Sequence, residues 1–424
     1  MSGTRQLHIG FCLTPTWLKG RRAEPDELPS PHDPASFYID LAKRAEQAKL
    51  DFAFKVDYLA FNPAMAGGQG GPGLEPNILL AAIARETQRI GLVATHSTTF
   101  NPPYIVARQI QSLHWLSQGR AGWNIVTSIE GAENFGDAPM PPPEARYRKA
   151  AEFTDVVRRL WQSYPPSGAD GLPQAHPIDH AGEFFSVKGP LNVRGHESGP
   201  PPIFQAGASD IGREFAASVA DATFASAPDM AAGIDLRSDL RARAERLGRR
   251  ADDIRVLPGL YFFLAPTREE AWELHRRAHT HLNHERRVES VRTVLGLDIS
   301  RLGPASRVTP DMLPVPDAPV RSRTHADLLR RFIEANSPTV EELLARPEVV
   351  GSAHWVSVGT VGDVIADIVE WFGAGAMDGF IALPGGSTGS LDLFLEEMVP
   401  ALAARGLFRT EYEGTTLRAH LRMS

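Results

Sequence analysis

Apolar residues fall along this chain in short blocks, separated by longer stretches with the period of a helix. The blocks at 7–13, 51–56, 90–95, 121–127, 202–206, 221–225, 254–264 and 379–383 read as β-strands bounded by turn residues. Block 121–127 sits behind the Gly119-Arg120 turn signal and is mostly apolar, yet its far end carries Asn124, Thr127 and Ser128. Such a strand is buried on both faces and polar at one end, as in a parallel barrel that meets a ligand. Helical patterns alternate with the blocks. Asp33-Pro34 opens one, with Asp as cap, Pro in the first turn, and Leu41, Ala45 and Ala48 on a common face. Others are expected at 76–88, 103–116, 144–163, 210–220, 231–247, 268–295, 324–335, 339–346, 360–373 and 391–405. Eight strands alternating with helices predict the α/β class and a (β/α)8 TIM barrel, with a doubly wound open sheet as the alternative. The chain reads as one barrel domain over 1–424, with insertions at about 164–200 and 297–358. Residues 406–424 show no strong pattern.

In such a barrel the ligand site lies at the C-terminal strand ends. Here those ends are 14–17, Asp57-Tyr58, Thr95-His96-Ser97, 124–128, Gly207-Ala208-Ser209 and 384–387, all polar or glycine-rich. Gly207 permits close backbone approach, and Ser209 or Asp210 can cap the next helix. That suits an anion such as phosphate at a helix N-terminus, and it equally suits a plain strand-to-helix turn. His96 as a barrel-lining residue could bond a substrate or act as a base; a satisfied buried imidazole is the other reading. Trp17, Phe100 and Trp123 fit either the walls of a planar ligand or ordinary core.

Composition narrows the partners. Across 424 residues, 44 Lys plus Arg stand against 51 Asp plus Glu, a net charge of −7, which disfavours nucleic acid or an anionic membrane. Cys12 is the only cysteine and excludes an intrachain disulfide. Neither a signal peptide nor an apolar run of about 20 residues is visible, so a cytoplasmic location is expected. Residues 68–73 match G-x-G-x-x-G, but they do not follow a strand directly and no acidic residue lies about 20 positions on, so no nicotinamide site is assigned. The tract His275, His279, His281 and His284 is rich in Arg and lacks His-Glu-x-x-His; it reads as a solvated helix face with no metal. No Gly-x-Ser-x-Gly elbow supports a nucleophilic triad, and Cys12 reads as core.

Residues 119–128, Gly-Arg-Ala-Gly-Trp-Asn-Ile-Val-Thr-Ser, are the most recognisable string in the chain. With them come Asn101-Pro102-Pro103-Tyr104, Asn134-Phe135-Gly136, Arg146-Tyr147, Phe184 to Val187, Gly189 to Asn192, Gln205 to Ser209, Asp378-Gly379-Phe380 and Arg405 to Leu417. Together they resemble the flavin-dependent monooxygenases of the bacterial-luciferase superfamily, in the branch of nitrilotriacetate, pristinamycin and dibenzothiophene-sulfone monooxygenases. The resemblance implies a luciferase-like barrel that binds reduced FMN delivered by a separate NAD(P)H:flavin reductase. It implies O2 as co-substrate, a hydroperoxide at flavin C4a, and oxygenation of a small organic substrate, often with C–N or C–S cleavage. A homodimer or tetramer is expected with it. An F420-dependent oxidoreductase and a non-catalytic flavin-binding protein are the alternatives. Carried onto this sequence, the cofactor contacts are Asp57, Thr95, Asn124, Tyr147, Gly207, Ala208 and Ser209, with Asn124 and His96 as catalytic candidates. Two positions depart. Pro143 stands where the family has a His four residues before the Tyr, leaving one flavin contact missing or supplied by another residue such as His96. The first strand ends in Thr14-Pro15-Thr16, where relatives often carry His.

Overall fold

The computed structural model describes residues 5–14, 33–60, 73–136, 139–166, 174–207, 209–279, 282–315, 323–350 and 353–423. Seven parallel strands, β1 (His8–Cys12), β2 (Phe52–Lys55), β3 (Gly91–Ser97), β4 (Ala121–Val126), β5 (Ile203–Gln205), β6 (Ala222–Ala225) and β7 (Arg255–Leu264), run in chain order. Strand β8 (Trp355–Gly359) is an addition, and β9 (Gly379–Pro384) pairs with both β7 and β1 to close the ring. Omitting β8 leaves the eight expected barrel strands in consecutive order, and the open-sheet alternative falls away.

Helices α1 (Pro34–Gln47), α2 (Pro76–Glu86), α3 (Pro103–Leu116), α4 (Pro143–Gln162), α5 (Asp210–Val219), α6 (Met230–Arg246) and α7 (Arg268–Ala278) alternate with the strands. After them come α8 (His284–Leu295), α9 (Arg323–Asn336) and α10 (Val361–Gly373). Asp33 caps α1 as the sequence suggests, its carboxylate accepting from Ser36 N at 3.2 Å. The helix expected at 268–295 is two helices. Asn283 caps α8 by accepting from Arg286 N at 2.9 Å, and a side chain that bonds its own backbone in this way ends continuous helix. Among the described residues no helix is long and apolar enough to cross a membrane.

Strand β8 begins within the stretch that reads in sequence as the second insertion. Its sequence, Trp-Val-Ser-Val-Gly, is short and interrupted by Ser357, which bonds Asp367 of α10 at 2.5 Å. The ten-residue length of β7 makes room for it. The lower half of β7 pairs with β6, Ala222 opposite Arg255, and the upper half with β8, Trp355 opposite Leu260. Between β7 and β8, the helices α8 and α9 share a core of their own around Val291, Leu329 and Leu343. Arg346 ties this layer to the barrel, bonding Asp229 at 3.0 Å and buried Glu348 at 2.9 Å. In the earlier insertion, the hairpin of His180–Ala181 and Ser186–Val187 is anchored on α4 through Glu152, which accepts from Phe184 N and Phe185 N.

The C-terminal segment has a clear task that its sequence did not disclose. Leu417 and Leu421 belong to the cluster that fills the barrel bore. A Cβ on Gly91 or Gly122 would lie 2.6 or 2.8 Å from Leu417, so these two glycines at the strand starts leave the space it occupies. Arg409 bonds the fully buried Asp51, which also faces His8 at 3.3 Å. The tail is therefore a stopper in the N-terminal end of the barrel. Leu417→Ala should cost about 2–5 kcal/mol, the usual range for a buried Leu lost to a cavity. Leu247→Ala, at a site 45% exposed, should change stability by under about 0.5 kcal/mol. Urea unfolding of the two variants checks this.

Candidate active site

Side chains alternate along each strand, so a closed barrel sorts them between bore and helix layer. Cys12, Phe54, Val93, Phe204, Tyr261, Phe263 and Leu383 fall in the bore cluster, while Ala53, Leu92, Ala94, Trp123, Ile125 and Phe262 pack against the helices. By the same alternation Thr95 and Asn124 face the bore. They are register partners on β3 and β4, and Asn124 Nδ2 donates to Thr95 Oγ1 at 3.0 Å. Asn124 Oδ1 is buried and accepts nothing among the described residues. An unsatisfied buried acceptor is costly, and this one faces the mouth, where a ligand N–H would complete it.

The ends of β3 and β4 are held from one helix. Arg146 of α4 donates to the carbonyls of Thr127 and Ser128, and Lys149 donates to Thr99 O at 2.7 Å. Ser128 Oγ also bonds Ser97 Oγ at 2.8 Å. Lys149 had not been singled out from sequence; its spacing of three from Arg146, on one helix face, was the available signal. At the end of β2, burial and then nearby Glu75 push the Asp57 carboxyl above its usual range.

A second group forms at the start of α5. Gln205 Oε1 accepts from Gly207 N at 2.8 Å, and Ser209 caps the helix by accepting from Gly212 N at 3.3 Å. The Tyr147 hydroxyl lies over this turn. A Cβ on Gly207 would be 2.7 Å from it, and a Cβ on Gly212 would be 2.8 Å. Phe215 meets the Tyr147 ring edge-on at 5.7 Å and steadies it. Two glycines, a hydroxyl beside them and a helix N-terminus behind make a polar turn suited to an anion such as phosphate. Arg213 supplies no free charge there, since Asp235 and Asp239 hold it at 3.2 and 3.0 Å. The anion would rest on hydroxyls and N–H groups.

The remaining candidates separate. His96 lies within β3, one residue past the expected strand end, and faces away from the bore. It shares the helix-facing side with Leu92 and Ala94, and its Nε2 meets Asn77 Nδ2 of α2 at 2.7 Å. The expectation of a barrel-lining imidazole is corrected by this one-residue parity. His96 does not stand in for the histidine absent at Pro143, which is the first residue of α4. Trp123 packs outward on Phe153 and Trp161, and Phe100 stacks on Phe135 at 4.5 Å. His275 and His279 turn inward, against the reading of that tract as a solvated face. Trp17, Ala208, His281 and residues 68–72 lie outside the described residues.

Burial pushes His96 down to about 4. The unfolded chain, with an ordinary imidazole, then binds the proton first, and His96 contributes stability that is complete above about pH 6.5 and lost as pH falls toward 4. The imidazole resonances of His96 should therefore remain those of the neutral ring at pH 5.5, and titration near 6.5 would contradict the buried pairing.

The family model described as luciferase-like monooxygenase matches residues 11–377. Nitrilotriacetate monooxygenase component A of Aminobacter aminovorans is 34% identical, over 99% of this chain and 97% of the relative. Dibenzothiophene-sulfone monooxygenase of Rhodococcus erythropolis is 33% identical over 91% and 89%. Among solved structures, riboflavin lyase with modified FMN and riboflavin superimposes with a TM-score of 0.81 at 29% identity, covering 98% of this chain and 95% of that one. Sequence and fold agree over nearly the whole length: this chain belongs to the luciferase-like monooxygenase family.

Proposed function

We propose that the protein is the oxygenase component of a two-component FMN-dependent monooxygenase, taking reduced FMN from a separate NAD(P)H:flavin reductase. The observation that carries this is the pairing of two sites on neighbouring strands. One is the Tyr147–Gly207–Ser209–Gly212 cradle for a phosphate; the other is the unsatisfied Asn124 Oδ1 at the mouth for a ring N–H. Family membership supports the flavin, and the name of the Aminobacter relative, component A, supports a partner component.

Reduced FMN, when bound, supplies the activation of O2 for insertion into a small organic substrate. The chain's own residues bind and orient. Tyr147, Ser209 and the α5 N-terminus take the phosphate, Thr95 and Asn124 meet the ring, and Asp57 stands at the same rim. The bore beneath is closed by Phe52 and Phe204, both fully buried, which keeps bulk water from the reacting end. Pro143 contributes no polar group, so the α4 contribution rests on Tyr147. Exposed Ile78 and Ile105 on α2 and α3 favour a homodimer through those helices, which sedimentation at micromolar concentration would read as a single species of twice the chain mass.

The test uses anaerobic titration with reduced FMN and reduced riboflavin. Tyr147→Phe and Ser209→Ala should each weaken reduced FMN by about tenfold, the worth of one good hydrogen bond to a charged group. Reduced riboflavin, which lacks the phosphate, should be unaffected. Substrate-dependent O2 uptake above the peroxide background, with reductase and NADH present, completes the case. Failure to bind reduced FMN would overturn it.

A further inference from the structure

In a ring of eight strands, the strand four places on stands directly across the bore. Opposite β3 and its Thr95 is β7, whose upper bore positions are Tyr261 and Phe263. Their rings lie 4.6 Å apart, with Phe263 fully buried and Tyr261 8% exposed. Helix α7 folds back over them. Leu274 packs into the same cluster, filling the space beside Gly386, and His275 meets the Phe263 ring edge at 4.8 Å. His279 lies 5.6 Å from Phe263 and 5.9 Å from Tyr261, and the two imidazoles are 4.4 Å apart. His279 is 6% exposed, its Nδ1 at 2.8 Å from His275 O. Burial, with His279 and Arg287 behind it, pushes His275 down to about 4, so this ring is uncharged near neutral pH.

Among the described residues, the bore wall carries no formal charge. Its upper inward positions, such as Cys12, Phe54, Thr95, Asn124, Tyr261 and Phe263, include no Lys, Arg, Asp or Glu among the described residues. The described cations nearby are engaged elsewhere, Arg276 of α7 with Glu273. Lys55 lies over the Tyr38 ring of α1, Arg146 and Lys149 hold carbonyls, and Arg287 bonds Leu282 O. A polycarboxylate placed here would surrender its hydration without gaining a cation from the described wall, which is strongly unfavourable. A planar ring would meet aromatic edges and faces at close range, with imidazoles able to reach one neutral acceptor.

We propose that the substrate is an uncharged, planar aromatic or heteroaromatic molecule, held by Tyr261, Phe263, His275 and His279 across the bore from the flavin end. This rests on the monooxygenase reading above and divides the family's substrates by charge. The test is calorimetric binding to the anaerobic protein loaded with reduced FMN, using indole and quinoline as neutral planar probes and citrate as the polycarboxylate. At least one planar probe should bind about tenfold tighter than citrate. Tyr261→Leu and His275→Gln should each weaken that probe about fivefold or more, with reduced-FMN affinity within about twofold of the parent. If Tyr261→Leu does not fold, His275→Gln, at a partly exposed position, decides alone. Citrate binding as tightly as both planar probes, no planar probe binding to the loaded protein, or planar affinity unchanged in the folded variants would overturn the inference. Failure of the parent protein to take up reduced FMN would instead overturn the proposed function, and this inference with it.

Discussion

The two-residue alternation of strands in a closed ring governs this molecule. Closure leaves each side chain only two directions, into the bore or out to the helices, and a shift of one residue exchanges them. The β3–β4 register sets Thr95 beside Asn124 inside, and places His96 and Ile125 outside. The inward roles of Thr95 and Asn124 follow from that parity. The helices then act as clamps on a sheet whose facing is already decided. Arg146 and Lys149 hold the strand ends by their carbonyls, and Tyr147, one position from Arg146, reaches the neighbouring cradle instead.

Much of this was legible in the sequence because strand existence depends on local apolar runs, and all eight barrel runs are present. The polar ends at Thr95, Asn124 and Gly207 were legible for the same reason. The side that a residue faces was less so. His96 looked like a bore residue because the strand was expected to end before it; two further residues of strand settle its direction outward. Strand β8 escaped because Ser357 interrupts a five-residue run whose pairing depends on the unusual length of β7. The tail escaped for a different reason. Leu417 has no periodic neighbours, and its place is defined by two glycines about three hundred residues earlier, a complementarity that no window of sequence contains.

Charge is handled in a consistent way. Among the described residues, cations near the site such as Arg146, Lys149 and Arg213 are occupied by backbone carbonyls or by acids. The cradle therefore depends on dipoles and hydroxyls, and the bore on packing. This separation suits the proposed cofactor, with a charged end at the rim and a dry interior, because a fixed cation beside the bore would draw water in with it.

The stopper has a consequence for how the chain is made. Asp51 and Arg409, which bond across the floor of the barrel, are 358 residues apart in sequence. During synthesis the early strands leave the ribosome long before β9 can pair with β1 and before Leu417 can enter its gap. For that interval the nascent barrel is an open, curled sheet with an apolar hollow at one end, a surface that binds chaperones or other nascent chains. Completion of the barrel therefore waits for this distant leucine, and yield in a cell should depend on the fate of the half-built sheet as well as on the stability of the finished one.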